Sequence, residues 1–205
     1  MFDISVAVLT GGKSQRLGAD KVLLRLHGEW LLESILNSLA TLSNDLFIVG
    51  NPRPEFATLA VRNVPDDPPG RGPLGGIYTG LRAMRHERGL FIACDMPMLN
   101  LPLLRYMILL SADYDAVIPA IGDLIEPLHA IYSRACIHPI AELLQRGEMR
   151  VASVLPSVRV RRVAESEIDV FDPQHLSFFN INTAADLELA QRLTGLDDRQ
   201  RPIED

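Results

Sequence analysis

The residues of this 205-residue chain best placed to do chemistry lie between Leu9 and Lys21. The stretch reads Leu9-Thr10-Gly11-Gly12-Lys13-Ser14-Gln15-Arg16-Leu17-Gly18-Ala19-Asp20-Lys21. Paired glycines let backbone come close to a ligand and aim several N–H groups at one anion. Lys13, Arg16 and Lys21 add cations that suit phosphate oxygens. Among 20 Lys plus Arg, Lys13 and Lys21 are the only lysines. A compact ammonium thus stands where a phosphate would sit, while arginine serves elsewhere. The spacing fits neither a Walker loop nor Gly-x-Gly-x-x-Gly, which disfavours a dinucleotide. The bland alternative is a solvated, Gly-rich surface loop.

Four other places carry candidate groups. Phe91-Ile92-Ala93-Cys94-Asp95 is an apolar run ending on a carboxylate, placed either to hold a hard cation that bridges phosphates or simply to cap a turn before Pro97. Asp66-Asp67-Pro68-Pro69-Gly70-Arg71-Gly72-Pro73-Leu74-Gly75-Gly76 reads as a shaped Pro/Gly loop whose backbone reaches a flat ligand, or as a turn-rich connection. Gly50-Asn51 follows an apolar run in the same way. Asn180-Ile181-Asn182 would turn both amides to one side of an extended segment, unless Asn182 is the N-cap of the last helix. His129, between Leu128 and Ala130, is either a satisfied structural histidine or one facing the crevice. His27, His86, His138 and His175 show no metal-ligand spacing, and no Ser-His-Asp or Cys-His arrangement stands out. Cys94 reads as a core thiol.

These groups need a scaffold. Short apolar runs at Ile4–Leu9, Leu46–Val49, Val61–Val64, Leu90–Ala93 and Asp115–Ile118 alternate with helical patterns. The helical stretches lie after Trp30, at about 76–87 and at about 101–112. The spacing predicts a parallel sheet covered on both faces, with ligand at the carboxyl ends of its strands. Leu128–Tyr132 and Val158–Val163 alternate apolar and polar, predicting partly exposed, antiparallel additions. Ile137–Gly147 and Thr183–Gly195 read as helices, the second with Thr183 and Asp186 at capping-box spacing. The expected fold is α/β: a single Rossmann-like domain over 1–195, mostly parallel, with a small antiparallel part in the C-terminal third and 196–205 as a disordered tail.

Composition narrows the partners. A net charge of −6 argues against nucleic acid and anionic membranes, so an anionic substrate must meet a local cation cluster. Two cysteines are too few for a disulfide framework or a four-cysteine zinc site. No apolar run approaches a membrane span, and Met1-Phe2-Asp3 lacks the basic start of a signal peptide, so a cytoplasmic location is expected.

The blocks together resemble the molybdenum cofactor guanylyltransferases of the sugar-nucleotidyltransferase-like superfamily. The likeness rests on Gly11-Gly12-x-Ser14-x-Arg16-x-Gly18-x-Asp20-Lys21-x-Leu23-Leu24, Gly72-Pro73-Leu74-Gly75-Gly76-Ile77, Cys94-Asp95-Met96-Pro97, Glu126-Pro127-Leu128-His129-Ala130 and Phe179-Asn180-Ile181-Asn182-Thr183, in family order over nearly the whole chain. Thr10 replaces the usual Ala, Leu17 the usual Met, and Ala184-Ala185 the usual Pro-Glu. The resemblance implies transfer of GMP from GTP to molybdopterin, with a molybdoenzyme or chaperone as client. It implies magnesium on Asp95, and nucleotide binding by Leu9, Thr10, Gly11, Gly12, Lys21, Asn51, Asp66, Gly75, Gly76 and Asp95. Asp67 competes with Asp66 for that alignment. Arg16, Lys21 and Asp95 are the implied catalytic residues, and Asn180 and Asn182 lie toward the metal or the second substrate. Cytidylyl transfer, another phosphate acceptor and a non-catalytic nucleotide sensor are the rival expectations.

Overall fold

The computed structural model describes residues 1–11 and 21–197. Gly12, Lys13 and Arg16 lie outside the described residues, as does the expected tail from 198 on. Strand β1 (Ser5–Leu9) leads, past the loop, to a short hairpin of β2 (Arg25–Leu26) and β3 (Glu29–Trp30) and to helix α1 (Leu31–Leu39). Then come β4 (Asp45–Val49), β5 (Arg62–Val64), α2 (Gly72–Ala83), β6 (Arg88–Ala93) and α3 (Leu101–Leu110). Strand β7 (Ala116–Ile121) turns back as β8 (Leu124–Ile125), followed by β9 (His129–Ser133) and α4 (Ile137–Gln145). The chain closes with β10 (Val160–Val163), α5 (Glu165–Ile168) and α6 (Ala184–Asp197). Among the described residues no helix is long and apolar enough to cross a membrane.

The main sheet runs β10-β7-β9-β6-β1-β4-β5, with β8 attached to β7. Strand β1 pairs parallel with β4 and β6, and β4 with β5. Strand β9 is antiparallel to both β6 and β7. Those two reversals cancel, so β7 runs in the same direction as β6 and its carboxyl end lies on the same edge. The alternation along β1 divides the core. Val6 and Val8 join Leu31, Ile35, Leu103 and Met107 on one face, while Ala7 and Leu9 join Leu74, Ile77 and Leu81 on the other. Each buried Val, Leu, Ile or Met side chain among these contributes roughly 1.5–3 kcal/mol, which fixes the register of the central strand. Gly80 lets α2 lie close on β6, since a Cβ there would come within 2.5 Å of the Phe91 ring.

Three expectations are corrected. Helix α2 starts at Gly72, so Gly72–Gly76 is a first helical turn, not the end of a loop. Pro73 suits that turn because the early N–H groups of a helix have no intrahelical acceptor. Strand β9 is wholly buried: β6 and β7 pair with both of its edges, and its faces are covered too, His129 by the Phe178 ring. Strand β10 pairs parallel with β7. The chain leaves β9 at the amino-terminal edge and, after α4, enters β10 at that same edge, where β7 also begins, so β10 runs alongside β7 in the same direction. In addition, α6 passes through Gly195, whose missing side chain lets the helix approach the His27 ring; a Cβ would lie 3.1 Å from Cε1.

At the amino-terminal edge the sheet is anchored by a buried carboxylate. Asp45 accepts from Ser5 Oγ at 2.6 Å, from Arg62 Nη2 at 2.8 Å and from the Arg85 amide at 2.8 Å. Burial alone would raise its pKa; the Ser5, Arg62 and Arg85 donors outweigh it and hold the carboxyl below the usual range.

Candidate active site at the carboxyl edge of the sheet

At the opposite edge, β1, β4, β5 and β6 all end on candidate residues. Lys21 Nζ donates to Asp95 Oδ2 at 2.6 Å and to Asn182 Oδ1 at 2.6 Å, joining residues 161 positions apart. Both side chains of the ion pair are largely covered. The segment after Phe178 is held to the same edge by the Ile181 amide, which donates to the Asp95 carbonyl at 2.9 Å. Ile181 is fully buried, so the asparagines on either side of it face away from the core. Thr183 and Asp186 cap α6 reciprocally: Asp186 Oδ2 accepts from the Asn182 and Thr183 amides, and Thr183 Oγ1 accepts from the Asp186 amide. That leaves the Asn182 side chain free of a capping duty and available to Lys21. Asn180 is not drawn into this cluster; its amide donates to the Phe178 carbonyl at 3.0 Å.

A second group forms one strand-pair away. Asp66 places Oδ2 3.6 Å from where a Cβ on Gly11 would sit and Oδ1 3.9 Å from one on Gly76. Leu9 also flanks Gly76, at 3.5 Å. Burial raises the Asp66 carboxyl above its ordinary range, with no donor among the described residues set against it. Asp67 instead turns to solvent beside Arg82, 3.4 Å away. The geometry therefore favours Asp66 over Asp67 as the inward carboxylate. Gly75 faces elsewhere: a Cβ there would come within 2.5 Å of the Arg71 side chain, so Gly76 is the glycine beside Asp66.

Thr10 stands where relatives were expected to carry Ala, and the structure accounts for it. Its hydroxyl donates to the Val49 carbonyl at 3.1 Å, and Gly50 opposite leaves it room, since a Cβ on Gly50 would overlap Thr10 Oγ1. Asn51, next along, is exposed. Among the described residues no three His, Cys, Asp or Glu gather as a metal-holding group. Cys94 is buried, as expected for a core thiol, and burial pushes the Cys136 thiol up to about 12.

Two further groups lie at this edge, and for His129 the structural alternative is the one the structure shows, although its ring nitrogens have no partner among the described residues. Glu126, at the turn into β9, is half-buried and its carboxyl is raised by desolvation. His129 is completely buried, and burial pulls its pKa down to about 4 against a smaller opposing pull from Asp172. A histidine with a depressed native pKa is neutral in the folded protein while its unfolded counterpart takes up a proton. Stability is therefore complete above about pH 6.5 and falls as the pH drops toward 4, by on the order of 3 kcal/mol. Urea unfolding at pH 7 and pH 5 should show about 2 kcal/mol of this loss, and His129→Phe should remove most of it; an equal loss in the variant would mean that other groups carry it.

The sequence profile of the MobA-like NTP transferase domain matches residues 6–161, a span that includes β1 from Val6 on, the Asp66 carboxylate and Asp95. The chain belongs to that family. A molybdenum cofactor guanylyltransferase of Syntrophotalea carbinolica is 36% identical over 190 residues, covering 92% of this chain and 90% of that one. Its counterpart from Desulfosudis oleivorans is 33% identical over 193 residues, covering 93% and 96%. The crystal structure of molybdopterin-guanine dinucleotide biosynthesis protein A from Archaeoglobus fulgidus superposes with a TM-score of 0.83 at 27% identity, covering 94% of this chain and 100% of that one. As a MobA-like domain the chain is a nucleotidyltransferase. Its mostly parallel sheet, with helices on both faces, is the fold of that neighbour.

Proposed function

We propose that the chain transfers GMP from GTP to molybdopterin, releasing pyrophosphate and giving the guanine dinucleotide form of the cofactor, which passes to a molybdoenzyme or its chaperone. The observation that carries this reading is the Lys21–Asp95–Asn182 cluster on the sheet edge shared with Asp66, Gly11 and Gly76. The attacking group is a phosphate that is already an anion, so no strong base is needed, and positioning and charge stabilisation do the work. Lys21 offers its ammonium, and Gly11 its backbone, to charge that builds on the triphosphate and on departing pyrophosphate. Gly12 and Arg16 are proposed to join them. Asp66 is a desolvated acceptor suited to the N1–H and amino group of guanine, and Leu9 and Gly76 wall the base.

The donor set fits magnesium. Asp95 offers a carboxylate whose Oδ1 makes no hydrogen bond among the described residues, and Asn182 adds a neutral oxygen. Magnesium characteristically takes one or two carboxylates and completes its shell with substrate phosphates and water. When bound it would neutralise charge around the α-phosphate. Asn180 lies toward the second substrate in this reading.

Two measurements test the assignment. GTP labelled at the α-phosphate should deliver its label to the pterin product, whereas γ-label should leave in pyrophosphate. Label from the γ position in the product would replace nucleotidyl by phosphoryl transfer. Lys21→Ala should slow turnover by about 10²-fold, the scale of losing one preorganised donor to developing charge. An unchanged kcat and KM for GTP would return Lys21 to a structural ion pair.

A further inference from the structure

Between Asp172 and Asn182 the chain forms a strap that crosses β9 and ends in the Lys21–Asp95 cluster. Its first half is rigid: the buried Asp172 carboxylate accepts from the Leu176 amide at 3.1 Å and from the Ser177 amide at 2.8 Å. Its second half delivers the Ile181 amide to Asp95 and the Asn182 side chain to Lys21. The midpoint is Phe178, which meets the His129 ring edge-on, with centroids 5.0 Å apart and planes at 74°. His129 Nδ1, His129 Nε2 and, on the strap, Ser177 Oγ are buried without a partner among the described residues, and Asp172, which accepts from the Ser177 amide, lies near enough to His129 to pull on its charge. An unpaired buried donor or acceptor carries a desolvation penalty that a leucine or phenylalanine at position 129 would not incur.

We propose that His129 is a positioning residue. Its neutral imidazole holds an internal water shared with the Ser177 hydroxyl, and this contact together with the Phe178 ring sets how closely the strap lies on the sheet. Buried water typically makes about three hydrogen bonds to otherwise unsatisfied groups. An imidazole nitrogen and the Ser177 hydroxyl supply two, and Asp172, whose carboxylate keeps unused lone pairs, is the nearby candidate for a third. Asn182 and the Ile181 amide are thereby fixed relative to Asp95. The ring itself touches neither substrate nor reacting atoms.

The consequence for turnover rests on the guanylyl-transfer reading, whereas the consequence for the strap does not. The experiment therefore compares wild type, His129→Phe, His129→Gln and Ser177→Ala by amide hydrogen exchange and by steady-state kinetics with GTP. The expected result is that the peptide covering 176–182 exchanges about tenfold faster in His129→Phe and Ser177→Ala, the scale of one lost hydrogen bond, while β1 and β6 are unchanged. In the same variants kcat should fall by about tenfold with KM for GTP nearly constant. His129→Gln, which keeps a donor and an acceptor, should recover part of both. Unchanged strap exchange, acceleration spread equally over β1 and β6, or His129→Gln no better than His129→Phe would overturn the proposal. Ser177→Ala leaves the ring in place and decides the matter if His129→Phe does not fold. A wild-type protein that fails to release pyrophosphate from GTP would refute the functional reading, and the exchange comparison would still judge the strap.

Discussion

Asp95→Asn is expected to lower turnover by on the order of 10³-fold while leaving the fold intact. The substitution keeps the shape of a side chain at the end of β6 but removes the charge that Lys21 pairs with at 2.6 Å. Two losses then combine. The amide is a poorer ligand for a hard cation, and its NH2 group can turn toward the ammonium, pushing Lys21 out of line. Because Asn182 and the Ile181 amide meet at the same point, the loss stays local. Pyrophosphate release at saturating magnesium, read beside the melting temperature, checks this. Near-wild-type turnover would remove Asp95 from the machinery.

Asp66→Asn should cost GTP about 10²-fold in kcat/KM and alter ATP much less. Guanine presents an N–H and an amino group side by side, and a carboxylate accepts both. A carboxamide can accept one and must oppose the other with its own NH2, and a mismatched buried polar pair costs a few kcal/mol. Burial already raises the Asp66 carboxyl, so the free enzyme bears a desolvation penalty that guanine's donors would offset. Competition of GTP and ATP for the variant measures the effect. A parallel loss for both nucleotides would mean that Asp66 holds sugar or phosphate and not the base.

Much of the scaffold was legible because apolar runs report burial directly. Ser5–Leu9 and Arg88–Ala93 are covered on both faces, and Thr10 and Asp95, just beyond their ends, mark the ligand edge. The Thr183–Asp186 capping box was readable because it depends on spacing alone. The direction of β10 was not, since alternation reports exposure and says nothing about a strand's partner. The start of α2 was hidden for a related reason: Gly72, Pro73, Gly75 and Gly76 signal a turn locally, and only packing of Leu74 and Ile77 against the sheet makes them helical. Contacts between distant positions were the least accessible. Nothing in the sequence pairs Lys21 with Asn182, and nothing distinguishes the inward Asp66 from the outward Asp67 until β5 is placed beside Gly11 and α2.

The central claim is guanylyl transfer to a pterin phosphate, and pyrophosphate release from GTP, CTP, ATP and UTP, each with and without molybdopterin, tests it most directly. The account predicts release from GTP that depends on molybdopterin and exceeds release from ATP by at least about 10²-fold in kcat/KM, the scale set by mismatched polar groups in the base site. Comparable turnover of ATP or CTP, or release from GTP that ignores molybdopterin, would contradict it.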